Sequence, residues 1–230
     1  MLILVILLFI LTFVNILFLK KNKIAHFYSN NNILKKSENW NNLKYSDKLK
    51  LYCNSLDENY VLYIDKYRVK KYIQSLNIKS LHIPKLIKKL DKNDYKLNLN
   101  DLPNNCVIKT NNGSGDIIII KNKKIKFMMK RGIKIDPNID NYKDWLNTCI
   151  KPHSTKYENF YKYIVPEVFA EEYLGDNIND YKFFCINGKL QYFHIDSNRY
   201  SKHCRNNYDK NFNLLKFLSE HKNCDFAIER

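Results

Sequence analysis

The residues from Cys106 to Asp116, CVIKTNNGSGD, have the types and spacing that could bind a phosphate. An apolar run from Cys106 to Thr110 predicts a short buried strand, and a polar loop follows it, formed by Asn111, Asn112, Gly113, Ser114 and Gly115. Two of the five glycines of the chain lie in this loop. Glycine allows successive backbone amides to turn toward one anion, which makes a phosphate cradle. Lys109, on the strand just before the loop, adds a positive charge.

The segment after the loop limits what kind of phosphate site this could be. Residues Ile117 to Lys121 predict a second strand, so the loop is the tip of a hairpin. A Walker loop and a dinucleotide fingerprint both need a helix to begin here, so the second strand argues against both. Asn, Gly and Ser are also the common residues of an ordinary flexible loop. A phosphate cradle and a plain hairpin loop therefore both remain open for NNGSG taken alone.

A second hairpin is predicted between Asp180 and Asp196, in the segment DYKFFCINGKLQYFHID. Asn187-Gly188 between two runs of strand-forming residues is the strongest short-range hairpin signal. A two-residue turn places Lys182 opposite Phe193, so that Asp180 shares a face with Lys182 and Asp196 lies on the other face. A lysine among Phe and Ile side chains is costly to bury without an anionic partner. Lys182 is therefore a second candidate for phosphate binding.

A third candidate is a pair of carboxylates. The segment Ile164 to Leu174, IVPEVFAEEYL, predicts a buried strand that ends in Glu171 and Glu172. Such a pair could accept hydrogen bonds from a ligand amine, or could mark the point where the chain returns to solvent.

Length and composition limit the number of domains and the kind of partner that this protein can have. The chain has 230 residues, enough for one sizeable domain or two small ones. Lys and Arg number 39 against 23 Asp and Glu, which gives a net charge of +16. Because Lys, Asn and Ile are abundant throughout, this charge indicates a composition bias rather than a basic patch, and nucleic-acid binding is not favoured.

The cysteines and histidines give no recognisable metal site or disulfide framework. The six cysteines contain no CxxC pair, which predicts reduced thiols in a reducing compartment. His194 and His203, the latter beside Cys204, could be metal ligands, but structural or solvated side chains are the favoured interpretation.

The first residues predict a membrane anchor. Met1 to Leu19 is almost entirely apolar and long enough to span a bilayer, and Lys20, Lys21 and Lys23 then favour a cytoplasmic location for the rest. A cleaved signal peptide is the alternative, but no charged n-region or small-residue cleavage site is present. Residues 20–44 predict a polar tether. The sequon Asn112-Gly113-Ser114 is expected to stay unmodified on the cytoplasmic side.

Helical periodicity is also present in the remaining chain. Val69, Tyr72, Ile73 and Leu76 are spaced as on a helix over Tyr60 to Leu76, and another helix is predicted over Tyr142 to Ile150. Together with the two hairpins this indicates an α+β protein.

Four stretches, taken in order, resemble the ATP-grasp superfamily, and within it the teichuronopeptide-biosynthesis, or TupA-like, branch. They are YVLYIDKYRVKKYI at 60–73, LPNNCVIKTNNGSG at 102–115, IVPEVFAEEYLGDNINDYKFFCINGK at 164–189 and DSNRYSKHCRNNYDKNFNLL at 196–215. The resemblance implies a two-subdomain ATP-grasp fold behind the anchor of residues 1–19 and the tether of residues 20–44. Residues 45–170 would hold the N-terminal helices and the central subdomain, and residues 171–230 a partial C-terminal subdomain.

The same resemblance implies roles for individual residues. Lys109 would contact nucleotide phosphates, and residues 112–115 (Asn112, Gly113, Ser114, Gly115) would close over them. The hinge segment would meet adenine through Glu171 or Glu172, Tyr173 and Leu174. Lys182 would be the second phosphate-side lysine, and Arg199 and Arg205 would steady the transferred phosphoryl group or an acyl phosphate.

The resemblance also implies ATP and Mg²⁺ as cofactors, but the pattern departs from the family at its end. Family members continue into a strand pair whose acidic residues hold magnesium, and we expect that segment to be lacking here. The leading hypothesis is a membrane-anchored ligase that joins a carboxylate to an amine or similar acceptor, in the synthesis of cell-surface polysaccharide or glycoconjugate. The alternative is a truncated, weakly active or inactive module for nucleotide binding or interaction.

Overall fold

A computed structural model describes residues 40–152, 159–176, 178–186, 188–199, 201–217 and 219–225. The predicted anchor, residues 1–19, and most of the tether lie outside these ranges. Within them, the structure contains no helix with the length and apolar character needed to cross a bilayer.

The described residues form two compact units. The first, called here the six-stranded unit, contains residues 40–78 and 83–173, and the second, the four-stranded unit, contains residues 79–82 and 174–225. The boundary after the last strand of the first unit falls between Tyr173 and Leu174. Both units are built on antiparallel sheets, which agrees with the expected α+β class.

Four helices belong to the six-stranded unit, namely α1 (Tyr45–Ser55), α2 (Val61–Ile64), α3 (Arg68–Ser75) and α4 (Tyr142–Cys149). The prediction of α4 is confirmed. The prediction of one helix over Tyr60 to Leu76 is wrong, because the helical conformation is interrupted between α2 and α3. The buried Asp65 carboxylate accepts the amide hydrogens of Tyr67 and Arg68 at 2.8 and 3.0 Å. A short acidic side chain that bonds amides in this way starts a new helix.

The six-stranded sheet contains β1 (Leu86–Leu90), β2 (Cys106–Thr110), β3 (Ile117–Lys121), β4 (Lys124–Lys130), β5 (Ile133–Ile135) and β6 (Val168–Glu172). Their spatial order is β1-β6-β2-β3-β4-β5. The predicted hairpin of β2 and β3 is confirmed with the expected bounds. The predicted strand over Ile164 to Leu174 is confirmed only over the length of β6.

One face of this sheet carries the larger core. Alternate residues of the central strands, including Ile108, Ile118 and Met128, point to that face and are fully buried. Helix α4 covers them with Trp145, whose Nε1 donates to the carbonyl of Met129 at 2.8 Å. Because side chains alternate along a strand, Lys109 and Glu171 lie on the opposite face.

The four-stranded sheet contains β7 (Asp180–Ile186), β8 (Lys189–Ser197), β9 (Cys204–Asp209) and β10 (Leu214–Leu215), in the order β10-β9-β8-β7. Phe193, Ile195 and Tyr208 form its core. The predicted hairpin of β7 and β8 is confirmed, with Ile186 opposite Lys189 at the turn.

The predicted register of this hairpin is wrong beyond its first two pairs. Cys185 lies opposite Leu190, but Phe184 lies opposite Tyr192, so Gln191 is an additional residue in β8. This bulge shifts all later pairs by one position. Lys182 therefore lies opposite His194, not Phe193. A shift of one residue reverses the face of every side chain, and Asp196 lies on the same face as Lys182.

The expectation of six reduced cysteines is wrong for two of them. Cys204 at the start of β9 forms a disulfide with Cys224, 20 residues later. Residues 219–225 return beside β9, where the amide of Arg205 donates to the carbonyl of Lys222 at 2.9 Å. Sequence spacing does not reveal such a return. Cys53, Cys106, Cys149 and Cys185 do not take part in this disulfide.

Candidate functional site

In the six-stranded unit, the predicted phosphate lysine Lys109 belongs to a buried ionic cluster. Its Nζ contacts Glu171 Oε1 on the neighbouring strand, and Lys70 of α3 contacts Oε2 of the same carboxylate. Lys70 also donates to the carbonyl of Pro84 at 3.1 Å. The Glu171 side chain is 5% exposed, and those of Lys70 and Lys109 are 15% and 21% exposed. We call these three residues the Lys70–Glu171–Lys109 cluster.

The charges of this cluster do not balance, because two ammonium groups surround one carboxylate. Burial alone would raise the pKa of Glu171, but Lys109 and then Lys70 outweigh it, and the pKa lies below its usual value. Burial lowers the pKa of Lys70; Glu171 opposes this shift and Lys109 adds to it. Within these three residues positive charge is in excess, although the neighbouring Glu172 carboxylate also raises the pKa of Lys70. An excess of positive charge favours an anionic ligand.

The loop between β2 and β3 is hydrogen-bonded to other parts of its own unit. The Asn111 amide donates to the Asp65 carboxylate at 2.9 Å and to the carbonyl of Val165 at 3.0 Å. Its side-chain oxygen accepts the amide hydrogen of Glu167 at 2.8 Å. Lys66 donates to the carbonyls of Thr110, at 3.4 Å, and of Gly113. These contacts place Lys66 and the start of α3 beside the loop.

The glycines of the loop are closely packed. A Cβ at Gly113 would lie 2.2 Å from Asp116 Oδ2, and one at Gly115 would lie 2.6 Å from the backbone of Gly132. Asp116 in turn accepts hydrogen bonds from the backbone and guanidinium of Arg131, at 2.7 and 3.1 Å. Gly115 also has a φ of +74°, a conformation that favours glycine.

Asn112 and Ser114 complete the loop. Asn112 is fully buried and donates to the carbonyl of Lys151 at 3.0 Å. Its Oδ1 is a buried acceptor that lacks a hydrogen-bond partner among the described residues. Ser114 is exposed. The loop that follows Lys109 in the chain thus offers one buried acceptor without a partner among the described residues and one accessible hydroxyl.

The residues predicted to meet adenine follow Glu171 along the chain. Glu172 exchanges two hydrogen bonds with the backbone of Lys85, at 2.9 Å through its own amide and at 3.0 Å through its carboxylate. The ammonium of Lys121 lies 5.2 Å from the ring centre of Tyr173. Leu174 is half-buried. Their role toward adenine stays a prediction.

In the four-stranded unit, the predicted residues Lys182 and Arg205 converge on Asp196, which is fully buried. Lys182 Nζ donates to Asp196 Oδ2 at 2.8 Å. Arg205 donates through Nε to Oδ1 at 2.5 Å and through Nη2 to Oδ2 at 3.1 Å. Two parallel bonds between guanidinium and carboxylate fix the orientation of both groups.

Arg199, the third predicted residue of this unit, is attached to a second carboxylate. Its Nη1 donates to Asp180 Oδ2 at 2.5 Å, and Lys182 Nζ lies 3.5 Å from the same oxygen. Lys182 thus links Asp196 to Asp180. The three predicted cations of this unit lie together around two buried acids, although the hairpin register had placed Asp196 on the wrong face.

Histidines surround Asp196 as well. His203 Nε2 lies 3.0 Å and His194 Nε2 lies 3.7 Å from the carboxylate. Burial would raise the pKa of Asp196, but Arg205 and then Lys182 lower it well below its usual range. Burial, and then the charge of Arg205, lowers the pKa of His194 to about 4, so its imidazole is neutral at pH 7. The His221 ring packs 3.7 Å from that of His203, measured between ring centres.

Sequence reasoning missed Lys66 and Lys70 and misplaced Asp196. Lys66 and Lys70 lie in the stretch YVLYIDKYRVKKYI, but one lysine among several carries no signal of its own. Asp196 was seen but assigned to the wrong face, because the bulge at Gln191 has no sequence signature.

A metal site would need several His, Cys, Asp or Glu side chains grouped together within the described residues. Those residues include no group of three or more His, Cys, Asp or Glu side chains that could hold a metal ion. The buried acids Glu171, Asp180 and Asp196 are each contacted by at least two cationic side chains. Magnesium therefore does not fit the described residues by themselves, and we assign it no ligand. The phosphate role of the clustered cations in the two units stays a prediction.

An α+β chain with two antiparallel sheets and clustered lysine and arginine side chains fits the class of ATP-grasp ligases. The chain belongs to the TupA-like ATPgrasp family, whose sequence model matches residues 22–227. Membership implies nucleotide binding and, in general, the use of ATP with a divalent metal. No curated protein matches the chain, and no solved structure does. The expected lack of a C-terminal segment stays a prediction.

Proposed function

We propose that this protein is a membrane-anchored ATP-grasp ligase that activates a carboxylate as an acyl phosphate and joins it to an amine or similar acceptor. The γ-phosphoryl group of ATP would pass to a carboxylate oxygen and leave ADP. The acceptor nitrogen would then attack the acyl carbon, and phosphate would leave. Such chemistry depends on positioning and charge neutralisation more than on covalent help from the protein.

The observation that carries this proposal is the Lys70–Glu171–Lys109 cluster. Family membership supplies the reaction class, and the cluster supplies a strand lysine held in place beside the NNGSG loop with positive charge in excess. A cation that is oriented in advance binds a phosphate at a lower ordering cost.

We also assign roles to the remaining predicted residues. Residues 112–115, that is Asn112, Gly113, Ser114 and Gly115, would bind phosphate beside Lys109. Glu172, Tyr173 and Leu174 would bind adenine, since both carboxylate oxygens of Glu171 contact lysines. Lys182, Arg199 and Arg205 would stabilise the charge of the transferred phosphoryl group. Asp180 and Asp196 would hold these three cations in place.

The location and substrate class are further parts of the proposal. The apolar residues 1–19 and the lysines after them support a single anchor with the catalytic part in the cytoplasm. Synthesis of a cell-surface polysaccharide or glycoconjugate would suit an enzyme held at the membrane. Protease protection of the full chain in vesicles tests the orientation, and a lumenal or extracellular C-terminal region would contradict it.

Calorimetric titration with ATP, with and without magnesium, tests the central proposal. We expect binding by the wild-type protein and a loss of about 1.5–3 kcal/mol of binding free energy in Lys109→Met and in Lys182→Met, as for charge-assisted hydrogen bonds. The control is Lys48→Met, a change in α1. Equal affinity in all four proteins would refute the assignment of both lysines.

Turnover separates the ligase from the alternative of a catalytically inactive nucleotide-binding module. Hydroxylamine traps acyl phosphates, so hydroxamate formation from a panel of carboxylates with ATP would report the first half-reaction. Binding of ATP with neither hydroxamate nor ADP formation would favour the inactive module.

A further inference from the structure

Lys70 is part of the phosphate-side cluster, yet no role follows for it from the sequence. It lies on α3, reaches across to β6 and contacts the oxygen of Glu171 that Lys109 does not contact. The two lysines thus divide one carboxylate between them. Each ammonium has three donors, so a contact to one carboxylate oxygen leaves Lys109 able to bind a further acceptor.

Because of the position of Glu171, its contact with Lys70 affects the charge of Lys109. Lys109 and Glu171 are diagonal neighbours on one face of the sheet, since β2 and β6 pair Lys109 with Phe169 and Val107 with Glu171. A carboxylate in this position, 5% exposed, would neutralise the nearest ammonium if it had no second partner. Without Lys70, the whole charge of Glu171 would fall on Lys109.

We infer that Lys70 is a positioning residue that draws Glu171 away from Lys109 and so keeps the charge of Lys109 available for a nucleotide phosphate. The inference rests on the proposed binding of ATP at Lys109. It assigns Lys70 an action through Glu171 and not a direct contact with the ligand. Replacement of Lys70 therefore weakens ATP binding only while the Glu171 carboxylate is present.

A set of variants tests this dependence by ATP titration. Lys70→Met should weaken ATP binding about ten-fold, which corresponds to one charge-assisted contact. Lys70→Arg should bind within about two-fold of wild type, since the charge is kept. The double variant Lys70→Met with Glu171→Gln should recover most of the lost affinity, because no carboxylate then captures Lys109.

The matched control is Lys71→Met, which removes an exposed lysine of the same helix whose ammonium lies 4.9 Å from the Tyr67 ring. It should bind ATP as wild type does. Thermal unfolding of each variant identifies any that fails to fold. A merely structural role for Lys70 would give equal losses in Lys70→Met and in the double variant, and that result would overturn the inference.

A readout without ligand keeps the inference separate from the proposed function. The rate at which Lys109 reacts with an amine-acylating reagent, followed by mass spectrometry, should fall in Lys70→Met and rise again in the double variant. If wild-type protein binds no ATP, the proposed function fails while this rate still decides the role of Lys70. Unchanged labelling of Lys109 in Lys70→Met would refute the role even if ATP binds.

Discussion

Lys182 and Asp196 are diagonal neighbours on one face of paired strands, with 2.8 Å between the ammonium nitrogen and the carboxylate oxygen. The pair forms because β8 carries one additional residue, Gln191, between the turn and Asp196. Asp196 also holds Arg205 by two hydrogen bonds. A single buried acid therefore fixes two of the three cations that we assign to phosphoryl transfer.

Replacement of Asp196 by Asn should be strongly destabilising. It would leave the charges of Lys182 and Arg205 without their shared counter-ion, at a cost of about 3–5 kcal/mol in the free energy of unfolding. Urea unfolding of Asp196→Asn measures this cost. The control is Asp47→Asn, which removes the partner of Lys50 in a pair whose side chains are 43% and 40% exposed and should cost at most about 1 kcal/mol. A similar loss of unfolding free energy in both variants would show that Asp196 contributes no more to stability than an exposed ion pair does.

The stability of the four-stranded unit should fall on acidification, partly through His194. An unfolded histidine takes up a proton near pH 6.5, whereas the pKa of folded His194 is lowered to about 4 by burial and Arg205. Between these values the unfolded state binds more protons, so stability is full above pH 6.5 and declines toward pH 4.

The measurement is urea unfolding at pH 7 and pH 4.5 for wild type and His194→Gln. The wild-type loss should exceed that of the variant by on the order of 2 kcal/mol. His221, whose pKa burial and His203 also lower, contributes in the same direction and gives a useful comparison as His221→Gln. The depressed pKa of Asp196 acts at lower pH, because that carboxylate stays ionised until well below its usual range. Identical losses in wild type and His194→Gln would contradict the assignment.

Gly115 and Gly132 form a matched pair for testing the packing of the NNGSG loop. Both have positive φ, +74° and +78°, but a Cβ at Gly115 would lie 2.6 Å from the Gly132 backbone, whereas nothing lies within 4 Å of a Cβ at Gly132. Gly132→Ala should cost about 1–2 kcal/mol from backbone strain alone. Gly115→Ala should cost at least about 1 kcal/mol more, because the backbone must also move apart. Thermal unfolding compares them, and equal costs would argue against the close approach.

The disulfide between Cys204 and Cys224 gives a further prediction. Thiol titration of unfolded protein without a reducing agent should find four reactive groups, since the other four cysteines are outside the disulfide. Cys224→Ser should lower the free energy of unfolding by about 2–4 kcal/mol, as expected for a loop of this size. Reduction should destabilise the wild type but not the variant, and Cys53→Ser serves as the control. Six reactive thiols in the untreated protein would show that the bond is absent.

The sequence predicts those parts of the fold that are determined by neighbouring residues in the chain. It predicts β2 and β3 with their bounds, since apolar runs flank a glycine loop. The single helix predicted over Tyr60 to Leu76 failed because the Asp65 side chain competes for backbone amides, and a periodic apolar pattern continues across such a break.

The sequence indicates the cations of the candidate site but not their partners, and the roles of these cations stay predictions. Lys109 and Lys182 follow from their own segments, and Arg199 and Arg205 from the family resemblance. Each of the four contacts a buried acid. Which acid each one meets depends on strand register and on the approach of α3. Both are set by tertiary packing, so the role of Lys70 required the structure.

The additional residue in β8 has a consequence for how the protein can tolerate change in length. Since side chains alternate with a period of two, the parity of the residue count between the turn and Asp196 decides whether this acid meets Lys182 or faces away from it. A one-residue deletion at Gln191 would restore the regular ladder and separate the pair without altering any charged residue. Insertions between β8 and β9 would leave that parity unchanged, but they would displace Arg199 and His203, which contact Asp180 and Asp196. A change in length on either side of Asp196 would therefore disturb a different part of its surroundings.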